Sequence, residues 1–370
     1  MAPLRSRSVT CGAIVALSMA SVAVARDEAP LPVRGLCIGA PAPEGVDDFV
    51  RFMREDLAPG GVNTLVLRVG YNFEFERHPE LRGPDALSRE DAGKLVAAAR
   101  ETAIEIVPLV NLLGHQSWEG RPGRLLEVYP EFDETPWVLL PERYEWPNPD
   151  RLYCKSYCPL HPRVHGVVFS VVDEIADAFE ARALHAGMDE VFYLGEYGCP
   201  RCQGLDRAEL FADEVRAVRD LLARSGRRVW IWGDRLLEGR TTGLGEWEAS
   251  YNGTHRAVDL IPRDVVICDW HYERPEPTPV YFAMKGLQVV ACPWRQRDSA
   301  SQQVRDMRRY RAHATPEMRE RYRGVLQTVW GETAAFIDAF RGSSVADAER
   351  KEEAACFQAV LEELGATGDR

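Results

Sequence analysis

The residues best suited to chemistry lie in the run Leu184-His185-Ala186-Gly187-Met188-Asp189-Glu190-Val191. It is an apolar stretch that ends in two adjacent carboxylates, with a histidine and a glycine beside them. Burying two like charges side by side is unfavourable, because each ionised carboxylate disfavours ionisation of its neighbour. A chain that needed only a strand there would use apolar residues. Environments that separate the protonation states of two acids equip one of them as a proton donor and the other as a charge stabiliser. The same residue types also suit a solvated turn after a strand.

Positioning such a pair requires a strand that delivers it, and the chain supplies eight candidates. Short β-branched runs at 35–38, 64–69, 105–111, 183–187, 229–232, 265–269, 289–292 and 325–330 alternate with helical patterns. That alternation implies a parallel sheet. Ser88-Arg89-Glu90-Asp91 reads as a capping box opening a helix to about Thr102. Apolar residues at three- and four-residue spacing mark helices at 164–179 and 209–223, and a terminal helix is expected near 344–364. The fold class expected is α/β, a (β/α)8 TIM barrel forming a single domain over 26–370. A doubly wound open sheet is the alternative. Barrel sites form at the C-terminal strand ends. Those ends carry Arg68 and Tyr71; His115 and Trp118; Asp189 and Glu190; Trp232 and Asp234; Asp269, Trp270, His271 and Tyr272; Trp294 and Arg295; Trp330 and Glu332. Five of the nine tryptophans fall in these positions, and core filler would spread along the helices too. Aromatic faces rimmed by carboxylates suit a sugar ring, which has apolar C–H faces edged with hydroxyls.

The motif His185-x-Gly187-x-Asp189-Glu190 closely resembles the catalytic motif of family 20 glycoside hydrolases, the β-N-acetylhexosaminidases, at the end of the fourth barrel strand. The resemblance implies that Glu190 is the general acid/base. It implies that Asp189 holds the 2-acetamido group, whose carbonyl oxygen acts as nucleophile in place of a second carboxylate. It further implies that Trp232, Trp270 and Trp330 wall in the acetamido methyl, that Tyr272 steadies its oxygen, and that Glu332 binds sugar hydroxyls. Leu113-Gly114-His115 is similar to the family's Pro-Gly-His segment, with leucine for proline, which puts His115 near the acid pair. His185 is expected to fix the strand end by hydrogen bonding. Asp234, Asp269 and Trp294 complete the expected substrate contacts. The chain departs from the family after the first strand, where Cys37-Ile38-Gly39-Ala40-Pro41 lacks an aspartate and arginine. It departs again after the second, where Arg68-Val69-Gly70-Tyr71-Asn72-Phe73 replaces a His-x-His and Asp-Asp pattern. Arg68 is the candidate for the missing cation.

The amino terminus reads as a signal peptide over 1–25: a basic start, an apolar stretch from Val9 to Val22, and Ala23-Val24-Ala25. Secretion or a periplasmic location follows as the expectation, with no later apolar run long enough to span a membrane. A net charge of −12 argues against nucleic acid and anionic membranes as partners; the resemblance implies a carbohydrate partner, an N-acetylhexosamine-containing glycan. Cys154-x3-Cys158 and Cys199-Pro200-Arg201-Cys202 lie in the loops expected after the third and fourth strands. Four thiols there could hold a structural zinc, or form disulfides in an exported protein. No cofactor is expected for catalysis. The function expected is removal of terminal N-acetylhexosamine by a retaining, substrate-assisted route. The alternatives are a non-catalytic glycan-binding barrel or a hydrolase of another glycoside class.

Overall fold

In the computed structural model, which describes residues 30–143 and 154–365, eight parallel strands close a barrel. The expected leader lies outside the described residues. The strands are β1 Val33–Gly39, β2 Thr64–Arg68, β3 Glu105–Leu112, β4 Ala183–Gly187, β5 Arg228–Trp232, β6 Val266–Trp270, β7 Gln288–Cys292 and β8 Tyr322–Thr328. Each pairs with its neighbours in sequence, and β8 closes the ring on β1 from Val33↔Gly324 to Cys37↔Thr328. The β6 strand runs through Trp270 because that residue still pairs with Cys292. Among the described residues, no helix is long and apolar enough to cross a membrane.

Alternation along the strands produces two apolar layers. Cys37, Val66, Val107, Leu109, Trp230, Trp232, Cys268, Trp270, Cys292 and Leu326 fill the barrel interior. Their sequence neighbours, such as Leu36, Leu65, Ile106, Leu184, Ile231, Ile267 and Val325, face outward into the larger layer under the helices. That layer is covered by α1 Val46–Phe52, α2 Arg89–Thr102, α3 Val164–Ala178, α4 Arg207–Ala223, α5 Thr278–Met284, α6 Arg297–His313, α7 Thr333–Phe340 and α8 Ala348–Gly365. The Ser88 hydroxyl accepts the Asp91 N–H at the start of α2, and the Asp91 carboxylate accepts the Ser88 N–H.

The same alternation removes Asp269 from the expected substrate contacts. Its neighbour Trp270 points inward, so Asp269 points into the helical layer, where it is 2% exposed. Asp269 accepts the Thr278 hydroxyl at 2.7 Å and faces His271 Nε2 at 3.2 Å, while His271 Nδ1 lies 2.5 Å from Glu248. Burial alone would strip the imidazole of its proton, but Asp269 and Glu248 outweigh it and raise the His271 pKa to about 10.

The end of β4 departs from extended geometry. Gly187, Met188 and Glu190 all have positive φ, at 68°, 67° and 48°. Two non-glycine residues in that region carry strain of about 1–3 kcal/mol each. The turn allows Asp189 and Glu190 to enter one space, since adjacent residues of a regular strand would point to opposite faces. Gly187 is required twice over: by its φ, and because a Cβ there would lie 2.5 Å from Asn111 Oδ1 and 2.9 Å from Asn111 Cα on β3.

Gly187→Ala should therefore destabilise the protein by about 1–3 kcal/mol or more, read from urea unfolding; unchanged stability would show that the turn is not constrained this way. A second expectation concerns His271, whose proton is held far above its unfolded pKa. Its stabilising contribution is complete below about 6.5 and is lost as pH rises through about 10. His271→Gln should flatten the decline in unfolding free energy between neutral pH and pH 10, and an equally steep decline in the variant would exclude this linkage.

Candidate active site

Two turns meet at the mouth of the barrel. Leu113 and His115, just after β3, also have positive φ, at 61° and 52°. Gly114 between them admits the backbone of the β4 turn so closely that a Cβ would fall 2.4 Å from the Asp189 carbonyl oxygen. Gln116 locks the β3 turn by donating its amide to the carbonyls of Asn111 at 3.0 Å and Gly114 at 2.7 Å.

This packing inserts the His115 ring between the two acids. His115 Nε2 lies 3.0 Å from Asp189 Oδ2 and 3.1 Å from Glu190 Oε2. The carboxylate side chains are 11% and 12% exposed. Burial would push the imidazole to the neutral form, but Asp189, Cys154 and Glu190 raise its pKa well above the usual range. Burial likewise raises the Glu190 carboxyl, and the His115 imidazolium together with the Cys154 thiol outweighs it, leaving Glu190 below its ordinary value. With the His115 pKa raised and that of Glu190 lowered, the proton between these two rests on His115. Asp189 Oδ1 is buried with no hydrogen-bond partner.

Supports converge on the pair from behind. Asp234 was expected to contact substrate; instead it is 2% exposed, and its Oδ2 accepts the Glu190 N–H at 2.8 Å and the Arg235 Nε–H at 2.6 Å. Burial pushes its pKa up to about 6 even with Arg235 alongside. The Arg235 guanidinium, buried as well, donates to the carbonyls of Glu246, Trp247 and Ala249 and so organises the loop after β5. Sequence reading passed over Arg235, although an Asp-Arg pair at a strand end is a legible signal. His185 Nδ1 accepts the Gly187 N–H at 3.0 Å, and its ring packs 4.4 Å from that of Trp232.

Aromatic residues wall the space beside the acids. Trp232 is buried with its ring 5.8 Å from Trp330, and Trp270 lies 5.0 Å from Tyr272. The Tyr272 hydroxyl accepts the Trp330 indole N–H at 3.0 Å. Trp294 packs edge-on to Tyr272 at 5.2 Å and donates its indole N–H to Glu353 at 2.5 Å. Glu353, on α8, also accepts the Trp330 backbone N–H at 3.3 Å and pairs with Arg350. No sequence signal marked it, because its role exists only once α8 returns to the strand ends. Arg68 lies over the Trp330 ring at 4.9 Å and donates to the Val329 carbonyl at 2.9 Å. Glu332 stands exposed at the start of α7.

The cysteines divide differently from the expected set of four. Cys154 is in the active-site cluster, its thiol 2.9 Å from Glu190 Oε2. Cys158, Cys199 and Cys202 converge instead with Glu134. The physical reason is that 154–158 runs extended against 132–134, with Glu134 N–H donating to the Ser156 carbonyl and Cys158 N–H to that of Phe132. Four residues of extended chain cover roughly 13 Å, too far for two thiols to share one ion. Among the described residues, two groups of donor atoms lie within 4.8 Å of one another, close enough for a metal: Glu134 with Cys158, Cys199 and Cys202, and His115 with Cys154 and Glu190.

The chain is 23% identical over 230 residues to a β-hexosaminidase of Vibrio furnissii, covering 62% of this chain and 32% of that protein. It is 27% identical over 176 residues to β-hexosaminidase A of Caenorhabditis briggsae, covering 45% of this chain and 29% of that one. The chain thus spans about a third of the length of these relatives. Its fold is similar to the exo-β-N-acetylglucosaminidase of Vibrio harveyi, with a TM-score of 0.59 at 17% identity, over 92% of this chain and 59% of that one. Dispersin B, at a TM-score of 0.51 and 14% identity, is matched over 90% of this chain and 99% of its own. The profile for the catalytic domain of glycosyl hydrolase family 20 matches residues 66–340, and the chain belongs to that family.

Proposed function

We propose that the chain is an exported retaining exo-hydrolase of terminal N-acetylhexosamine that uses the substrate's own acetamido group as nucleophile. The observation that carries this reading is the unpartnered, buried Asp189 Oδ1 beside a Glu190 that shares a proton with His115. A buried carboxylate oxygen without a donor is unfavourable, and an acetamido N–H supplies the missing hydrogen bond. In the first step the acetamido carbonyl oxygen attacks C1 while the glycosidic C–O bond breaks. The proton on His115 passes to Glu190 across the 3.1 Å contact, and Glu190 delivers it to the departing oxygen. Asp189 stabilises the positive charge that grows on the closing oxazolinium ring. The Tyr272 hydroxyl, which accepts from Trp330, keeps its own proton to donate to the acetamido oxygen. Water then attacks C1 and gives its proton to Glu190, and the ring reopens. Two inversions at C1 leave net retention. The substrate supplies the nucleophile, so the chemistry calls for no resident cofactor. The basic, apolar and small-residue sequence of 1–25 supports export.

Release of a chromogenic aglycone from an N-acetylglucosaminide, with no release from the matching glucoside, tests the substrate class. Glu190→Gln should lower kcat by about 10²–10⁴-fold with a poor leaving group while leaving binding largely intact; wild-type rates would remove Glu190 from the reaction. Asp189→Asn should lower kcat more than it raises KM, on the order of 10²–10³-fold. A thiazoline analogue of the cyclic intermediate should inhibit the wild type strongly and Asp189→Asn weakly. Trapping of a covalent adduct on Asp189 by a fluorosugar lacking the acetamido group would overturn substrate assistance.

A further inference from the structure

We infer that Glu134, Cys158, Cys199 and Cys202 form a structural metal site for a tetrahedral, thiophilic divalent cation, with Zn2+ the best match. The inference is independent of how the chain cleaves its substrate. The four donors come from two loops, Glu134 and Cys158 from the long loop after β3, Cys199 and Cys202 from the loop after β4. All four residues are buried. The sulfur of Cys158 lies 3.6 Å from that of Cys199 and 4.0 Å from that of Cys202. Thiolates about 2.3 Å from a tetrahedral zinc stand about 3.8 Å apart, so these spacings already match the edges of such a site.

Glu134 is the second, separate observation. Its side chain is fully buried among the thiols, with Oε1 2.7 Å from Cys202 and 3.1 Å from the Glu196 N–H. Its other oxygen, Oε2, is buried with no partner. The nearby buried ammonium of Lys155 is engaged by Asp133 and by the Thr135 carbonyl. A carboxylate buried without a compensating cation is strongly unfavourable, and a bound divalent ion removes that penalty. A disulfide answers the geometry less well. Three thiols cannot all pair with one another, and any bridge would leave Glu134 facing neutral sulfur.

Binding would displace up to three thiol protons to solvent and set a dication against three thiolates and a carboxylate. A set of four protein donors with no open position is the pattern of a structural site. Its effect would be to tie the two loops that carry the active-site groups. Cys154, against Glu190, precedes Cys158 in the same extended segment, and Cys199 follows Glu190 by nine positions.

The test uses the full chain produced through an export route, so that thiols meet the compartment they would normally occupy. After dialysis against a weak chelator, elemental analysis should find about one zinc per chain. Exchange with Co2+ should give the intense thiolate-to-metal charge-transfer and d–d bands of a tetrahedral sulfur-rich site. A strong chelator should lower Tm. Cys199→Ser should abolish the cobalt spectrum, and Glu134→Gln should weaken Co2+ affinity on the order of 10²-fold. Cys356→Ala, a buried thiol of α8 outside the cluster, should retain both metal and spectrum. If Cys199→Ser does not fold, the wild-type spectrum and stoichiometry still decide. Metal-free protein in which Cys158, Cys199 and Cys202 are all found as free thiols after denaturation, or a bridge between any two of the three found by mass mapping, overturns the site. A Co2+ affinity unaffected by Glu134→Gln overturns Glu134 as the fourth donor.

Discussion

Everything at the mouth of this barrel answers the placement of two adjacent carboxylates where water barely reaches them. Desolvation and mutual repulsion both oppose ionisation of such a pair. The fold meets the problem with one imidazolium set between Asp189 and Glu190, a thiol donated to Glu190, and a backbone N–H of the same turn bound by Asp234. One imidazolium therefore faces two acids, with its proton on His115 rather than on Glu190. That arrangement needs no special basicity in Glu190. In the mechanism proposed above, His115 returns that proton to Glu190 across their 3.1 Å contact as the departing oxygen gains charge.

Rigidity around this set is layered. Behind the turn, Arg235 holds Asp234 with one edge and three loop carbonyls with another nitrogen, so the loop after β5 cannot move without disturbing the Glu190 backbone. On the opposite side the tryptophan wall is fixed from α8, where Glu353 holds the Trp294 indole and the Trp330 backbone together. The helix α8, far from the acid pair in sequence, thereby helps set the shape of the site. Groups held by neighbours in this way need little reorganisation when charge develops, which is where electrostatic stabilisation is greatest.

The ends of the first two strands brace the far side of the mouth. Gly39 closes β1 without a side chain, where a Cβ would fall 2.8 Å from the Thr333 hydroxyl oxygen, and it pairs with Arg68 at the end of β2. Arg68 spends its guanidinium on the Trp330 face and the Val329 carbonyl, linking β2 to β8 across the mouth. Its contribution to the site is to brace the aromatic wall.

Legibility from sequence followed the range of the forces involved. The period-two and three-to-four-residue patterns are local consequences of strand and helix geometry. They marked eight strands, an α/β class and the capping box at Ser88 without reference to any distant residue, while closure into a barrel rather than an open doubly wound sheet was settled by the tertiary structure. The motif ending in Asp189 and Glu190 was equally local, and the family it resembles is the one the chain belongs to. Which face a residue takes at a strand end was not local. Asp269 and Asp234 were read as facing the ligand, but one follows the pleat outward to His271 and the other is drawn under Glu190. The cysteines failed for the same reason: a short spacing suggested that Cys154 and Cys158 act together, while the extended path of that segment sends one to Glu190 and the other to Glu134. Composition and periodicity determined which elements this chain forms. The left-handed turns after β3 and β4, and the long-range pairs that hold them, were decided only by the closed tertiary structure, because they depend on contacts between residues far apart in sequence.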